Sequence, residues 1–283
     1  MDDLWLEEVL TDTVIFLQTP EFIISLIGIF LNIFHLIILT RKSMRNTSTN
    51  VLMIGIAFCD LFIMMFEVTG RVLGYVEQVH ECSPPASYSR LLLDLIATAL
   101  KDNFRRVSTW LGVLMASVRY FVIKNSLNAK YNHLSLSPFA WRTIFILLML
   151  SSVVTGLYYI RVTIEEDESW MDCDASFPVN MTHYIVEMDS GFLDSDILAL
   201  QIFFFTDGIL RIIPSSLFPI LTFLLIRELK KANSTRKRLT GSSQKDHTTT
   251  LVILMTVTFM VAELPLGVVY VIQGLVTADV EYL

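Results

Sequence analysis

Six apolar stretches, at about residues 20–40, 51–73, 91–124, 138–160, 198–226 and 250–273, are each long enough to cross a bilayer as a helix. In hydrocarbon a chain must satisfy its own backbone hydrogen bonds, and single apolar segments of this length do so only as helices. An all-α membrane protein is therefore predicted. The composition agrees: 53% of residues are hydrophobic and 17% charged, with a mean hydropathy of +0.58, too apolar for an ordinary soluble domain. The opening Met-Asp-Asp-Leu lacks the basic flank of a cleavable signal peptide, so the first stretch is expected to serve as an uncleaved anchor.

Charge orients the helices. Residues 1–19 carry Asp2, Asp3, Glu7, Glu8 and Asp12 and no base, whereas Arg41, Lys42 and Arg45 follow the first stretch at once. The positive-inside rule then places the N-terminus outside a plasma membrane that the chain crosses repeatedly. Threading from there makes 227–249 an inner loop with seven bases (Arg227, Lys230, Lys231, Arg236, Lys237, Arg238, Lys245) against Glu228 and Asp246. Residues 161–197 become an outer loop with ten acids against Arg161. The net charge of -7 thus divides into an acidic outer face and a basic inner one. The acidic run Glu165-Glu-Asp-Glu168 is either a solvated loop surface or a long-range attractor for cationic ligands.

The third stretch holds polar groups that cannot face lipid. Lys101, Arg105, Ser108, Gly112, Met115 and Arg119 follow steps of three and four and so share one stripe of a helix. Arg105 and Arg119 lie roughly 21 Å apart along it, inside or at the edge of a core about 30 Å thick. That stripe is expected to face a protein interior or a wet cavity.

The run Ala116-Ser-Val-Arg119-Tyr120-Phe-Val-Ile-Lys124 resembles the inner end of the third helix of rhodopsin-like G-protein-coupled receptors, with Val118 where most members carry an acid. The run Arg105-Arg-Val-Ser-Thr-Trp-Leu-Gly-Val-Leu-Met-Ala116 is similar to nematode serpentine receptors of class W, themselves similar to receptors for FMRFamide-type neuropeptides. The resemblance extends from about residue 20 to the end of the sequence. It implies a rhodopsin-like helical bundle with six of seven transmembrane helices present, and a domain over 20–283 preceded by an outer tail over 1–19. An incomplete, non-signalling copy is the alternative reading.

The resemblance also implies roles. Arg119 and Tyr120 would meet a heterotrimeric G protein, and Val118 would leave Arg119 less restrained and basal activity higher. Asn32, Asp60 and Ser108 match a polar network able to bind sodium, although a plain interhelical hydrogen bond accounts equally for polar groups at that depth. Pro214 and Pro265 match kink positions in the fifth and sixth helices, and Glu263 replaces the tryptophan of the motif Phe-x-x-Cys-Trp-x-Pro. Glu263 stands about 13 residues from the inner end of its helix, roughly 20 Å up, close to the depth of Arg105. A bridge between Arg105 and Glu263 at the floor of a pocket containing Lys101 and Asp102 is one expectation; pairing of Glu263 with Arg106 is the other. Asp207 and Arg211, one turn apart, can pair within the fifth helix.

Of three cysteines, Cys59 falls inside the second span, while Cys82 and Cys173 fall outside the membrane, where a disulfide is expected. Among three sequons only Asn180 lies on the lumenal side and qualifies for glycosylation. The five histidines are scattered over separate segments, so neither a metal site nor an enzyme is expected, and no cofactor or nucleic-acid partner is implied. The function expected is sensing of an extracellular peptide, neural or environmental, although Arg105 suits a carboxylate ligand equally. A transporter or channel also places charges at mid-depth, but no internal repeat supports one.

Overall fold

The computed structural model describes residues 2–79, 86–125, 128–167, 182–188, 196–240, 256–257, 259–261, 263–272 and 275. Its long helices are α1 (Asp2–Leu39), α2 (Ser48–Val79), α3 (Tyr88–Lys124), α4 (Ser137–Tyr159) and α5 (Asp196–Thr240). A shorter apolar helix, α6, covers Phe259–Ile272. Among the described residues five helices are long and apolar enough to cross a membrane. Two extend beyond the stretches read from hydropathy. α1 continues back through the acidic tail to Asp2, and α5 runs on to Thr240 through much of the basic segment assigned to an inner loop. Hydropathy marks only the part of a helix that lipid covers, and polar helix-forming residues carry it further.

α3 lies at the centre and packs against α2, α4 and α5. One core unites Val51, Leu52 and Cys59 of α2, Val107, Leu111, Met115 and Val118 of α3, and Ala140 and Ile144 of α4. A second joins Val113 and Ala116 of α3 to Phe218 of α5, with Phe259 of α6 packed against it. Large apolar side chains on the opposite faces stand bare, among them Ile24, Phe30 and Phe34 on α1 and Phe145 and Val153 on α4, as helices bathed in lipid require. Pro138 opens α4, where its missing N–H costs nothing.

An element absent from the hydropathy reading lies between α4 and α5 along the chain. Strands β1 (Val162–Asp167) and β2 (His183–Met188) pair antiparallel, from Val162 opposite Met188 to Asp167 opposite His183. The β-branched residues of Val-Thr-Ile and Ile-Val were its local signal. Tyr184 of β2 meets Tyr88 at the start of α3 edge-on, with ring centres 5.7 Å apart.

Gly55 sits where α2 meets both neighbours: a Cβ there would stand 3.0 Å from Ile144 and 3.1 Å from Leu111. Gly74, five turns further out, has nothing within 4 Å. Replacing Gly55 by Leu should therefore overpack the core and cost about 1–3 kcal/mol, whereas Gly74→Leu should be tolerated. Thermal unfolding of the two variants in detergent checks the contrast.

Candidate functional site

The middle of the bundle contains charges that hydrocarbon cannot solvate, and those around Asp207 answer one another. Asp207 of α5 is 1% exposed and takes hydrogen bonds from two arginines. Arg106 of α3 donates to its Oδ1 from Nε at 3.0 Å and from Nη2 at 2.7 Å. Arg211, one turn on along α5, donates from Nε to Oδ2 at 2.8 Å, so the pairing expected within the fifth helix forms. The remaining donor of Arg106, Nη1, is held by the Ser151 hydroxyl and carbonyl and the Thr155 hydroxyl of α4, at 3.1 to 3.3 Å.

Glu263 extends this relay to α6. Its Oε2 lies 3.6 Å from Nη1 of Arg211, an ion pair without a hydrogen bond. The guanidinium also lies over the Tyr270 ring, 4.8 Å from its centre. Neither expected partner of Glu263 is the one found. Arg106 is turned toward α4 and α5, and the side chain of Arg105, the adjacent residue, makes no hydrogen bond or ion pair among the described residues, although the Glu263 charge reaches it. Successive helix residues point about 100° apart, so equal depth did not ensure contact.

The two outermost residues of the expected pocket diverge for the same reason. Lys101 reaches α2, with Nζ 3.4 Å from Oε2 of Glu67, and borders a groove of about 260 Å³ between α2 and α3. Arg71 continues the alternation, 3.8 Å from Glu67 and 2.9 Å from Glu21 of α1. Asp102 instead faces α4, where the Tyr159 hydroxyl donates to its Oδ2 at 2.9 Å. Thus Lys101, Asp102, Arg105 and Glu263 are spread around the first half of α3 rather than gathered at one point.

Further along α3, Ser108 Oγ donates to Asp60 Oδ1 at 2.6 Å, linking α3 to α2. Asn32 is not part of that link. Its amide donates to Gly28 O at 3.0 Å within its own helix and lies 3.8 Å from the Met64 sulfur. Asp60 and Ser108 bring three side-chain oxygens together, and Asn32, bonded within its own helix, adds none. Further inward, Arg119 Nη2 lies 3.9 Å from the Met53 sulfur, and Lys124 Nζ donates to Tyr120 at 2.8 Å. Val118 is buried in the α2–α3–α4 core.

α6 follows α5 along its length. Near the start of α5, Gly208 and Gly267 bring the two backbones together, since a Cβ on Gly208 would meet Val271 N at 2.9 Å and Gly267 O at 3.0 Å. Phe218 and Phe259 pack with ring centres 4.8 Å apart, and the Thr222 and Thr256 hydroxyls share a buried hydrogen bond of 2.8 Å. Pro214 is buried inside α5, while Pro265 of α6 is exposed. Cys82, Cys173 and Asn180 lie outside the described residues; Cys59 is a buried free thiol.

Apolar helices around a charged interior define a multi-pass membrane protein. The family model of the serpentine type seven-transmembrane G-protein-coupled chemoreceptors Srw matches residues 19–283, and the chain belongs to that family. It is a receptor by family rather than an enzyme. It is similar to the G-protein coupled receptor dmsr-1 of Caenorhabditis elegans, with 21% identity over 298 residues covering 90% of this chain and 58% of the relative. The sex peptide receptor of Drosophila melanogaster is 22% identical over 279 residues, covering 91% and 61%. The chain thus spans about three-fifths of the length of these relatives.

Removing the anion at the centre of the relay should be costly. Asp207→Asn leaves Arg106 buried without a counter-charge and Arg211 with only the long contact to Glu263, a loss of about 3–5 kcal/mol. Thermal unfolding and surface expression should both fall, and adding Arg211→Met should restore part of the loss.

Proposed function

We propose that this chain is a plasma-membrane receptor, N-terminus outside, that senses an extracellular peptide and activates a heterotrimeric G protein. The observation that carries the reading is the attachment of α6: on its outer half, Glu263 joins it to the α3–α5 charge relay through a single long contact to Arg211. A pair at 3.6 Å without a hydrogen bond is weaker than the bonds that hold Asp207, so it is the member a ligand can most readily replace.

In this reading a peptide enters from the acidic outer face and meets Lys101, Asp102 and Arg105. The Arg105 guanidinium, without a bonded partner among the described residues and within reach of the Glu263 charge, would receive Glu263 or a ligand group when the Arg211 contact is given up. α6 then turns about Pro265, its inner end leaves Thr222 and Phe218, and the opening exposes Arg119 and Tyr120 to the G protein. Agonist and G protein favour the same state, so each raises affinity for the other. The polar link between Asp60 and Ser108 holds α2 to α3 throughout, and no step depends on a bound ion. Similarity to a receptor named for the sex peptide supports a peptide ligand.

The test is a second-messenger assay in cells expressing the chain, alone and extended with a seventh helix from a relative, challenged with amidated peptides. A peptide-dependent response is the expected result; silence from both forms at confirmed surface expression would overturn the peptide assignment. In the responding form Glu263→Gln should raise ligand-independent signalling several-fold, a shift of roughly 1 kcal/mol toward the active state. Basal output normalised to surface expression measures it.

A further inference from the structure

We infer that the crevice between α4 and α5 is a binding site for the acyl chain of a membrane phospholipid. This goes beyond the receptor reading, since it concerns the lipid side of the bundle and needs no agonist.

α4 and α5 each pack against α3. Among the described residues they hardly touch each other, the stack of Tyr158 on Phe203 at 3.7 Å being one such contact. A crevice of about 250 Å³ remains between them. Arg106, Val107 and Trp110 of α3 form its floor, with Leu150 and Val154 of α4 on one side and Leu210 of α5 on the other. The cause is the arginine. Arg106 reaches Ser151 and Thr155 of α4 with one end of its guanidinium and Asp207 of α5 with the other. It spaces the two helices at a width that the apolar side chains beside it do not span.

The crevice belongs to the lipid surface. Leu150 in its wall is 60% exposed, and Ile146, Val153, Ile209 and Ile213 of the same two helices stand bare, so the crevice continues a face that hydrocarbon covers. Its polar lining is already engaged: the Arg106 guanidinium is turned to Asp207, Ser151 and Thr155, and the Ser151 hydroxyl donates to Asn103 O at 3.2 Å. Apart from the Trp110 indole N–H, an occupant meets hydrocarbon. An apolar gap left unfilled forfeits dispersion along its whole lining.

Size and depth select the occupant. A helix about 10 Å across is too wide for the crevice. A sterol anchored by its hydroxyl carries its rigid rings near the headgroups, whereas Arg106 is the midpoint of the helix Tyr88–Lys124. The flexible end of a phospholipid acyl chain reaches that depth. Seated there, it keeps water from the Arg106–Asp207 pair, whose attraction depends on surroundings of low dielectric.

The test uses Trp110 as its own reporter. In the full chain, Trp5, Trp141 and Trp170 are replaced by Phe, and the protein is placed in nanodiscs of phosphatidylcholine with or without bromine near the chain ends. Bromine quenches an indole that it touches, so Trp110 emission should fall by about half. Bromine placed near the headgroup should quench it less. Adding Leu210→Phe and Val154→Phe, which fill the crevice from its own walls, should remove most of the quenching. A companion chain that keeps only Trp141, half exposed on α4, should be quenched equally with and without the filling changes. Unquenched Trp110 in the unfilled chain, or quenching that survives filling, would overturn the proposal. So would stronger quenching by a brominated sterol in plain phospholipid, which would give the crevice to a sterol instead. Thermal unfolding confirms that the filled form is folded, and each filling change made singly should remove part of the quenching if the pair does not fold.

Discussion

Asp207 is the point on which the interior depends. A carboxylate and two guanidinium groups, each almost fully buried, meet within hydrogen-bonding distance in a region where an isolated charge costs several kcal/mol. Their mutual satisfaction fixes α3, α4 and α5 relative to one another, because Arg106 is held simultaneously by Asp207 of α5 and by Ser151 and Thr155 of α4. Apolar packing alone discriminates poorly between helix arrangements in lipid, where every face is equally greasy. Directional polar contacts supply the discrimination.

The strength of these contacts is graded. Around Asp207 the distances are 2.7 to 3.0 Å with every carboxylate oxygen used. Toward α6 the relay lengthens to 3.6 Å, leaving both terminal nitrogens of Arg211 and one oxygen of Glu263 without hydrogen bonds. A tight three-helix frame with a loosely attached fourth member suits a bistable element, since a small change of partner there costs little elsewhere.

Much of this was legible in the sequence and some was not. Hydropathy located the helices, because bilayer thickness imposes a length that composition reveals directly. The Asp60–Ser108 contact followed from resemblance, and the Asp207–Arg211 pair from helical spacing. What spacing could not give was azimuth between helices. Arg105 and Arg106 are adjacent and equally basic, and only the rotation of α3 decides that Arg106 is the one buried against Asp207. Ser151 and Thr155, one turn apart in an otherwise apolar helix, were the available clue that α4 presents a polar face to a buried cation. The β1–β2 hairpin escaped because short strands outside the membrane give a weak signal beside long apolar runs.

The close approach of Gly208 and Gly267 sets the geometry of any tilt of α6. Two backbones in contact cannot translate past one another without a clash, so that crossing behaves as a fulcrum. From Gly267 to Thr256 is eleven residues, a lever arm of roughly 16 Å, and a tilt of about 10° there displaces the inner end by about 3 Å. That distance exceeds the reach of the threonine hydrogen bond, so a rotation of that size about the glycine crossing breaks the latch between Thr222 and Thr256.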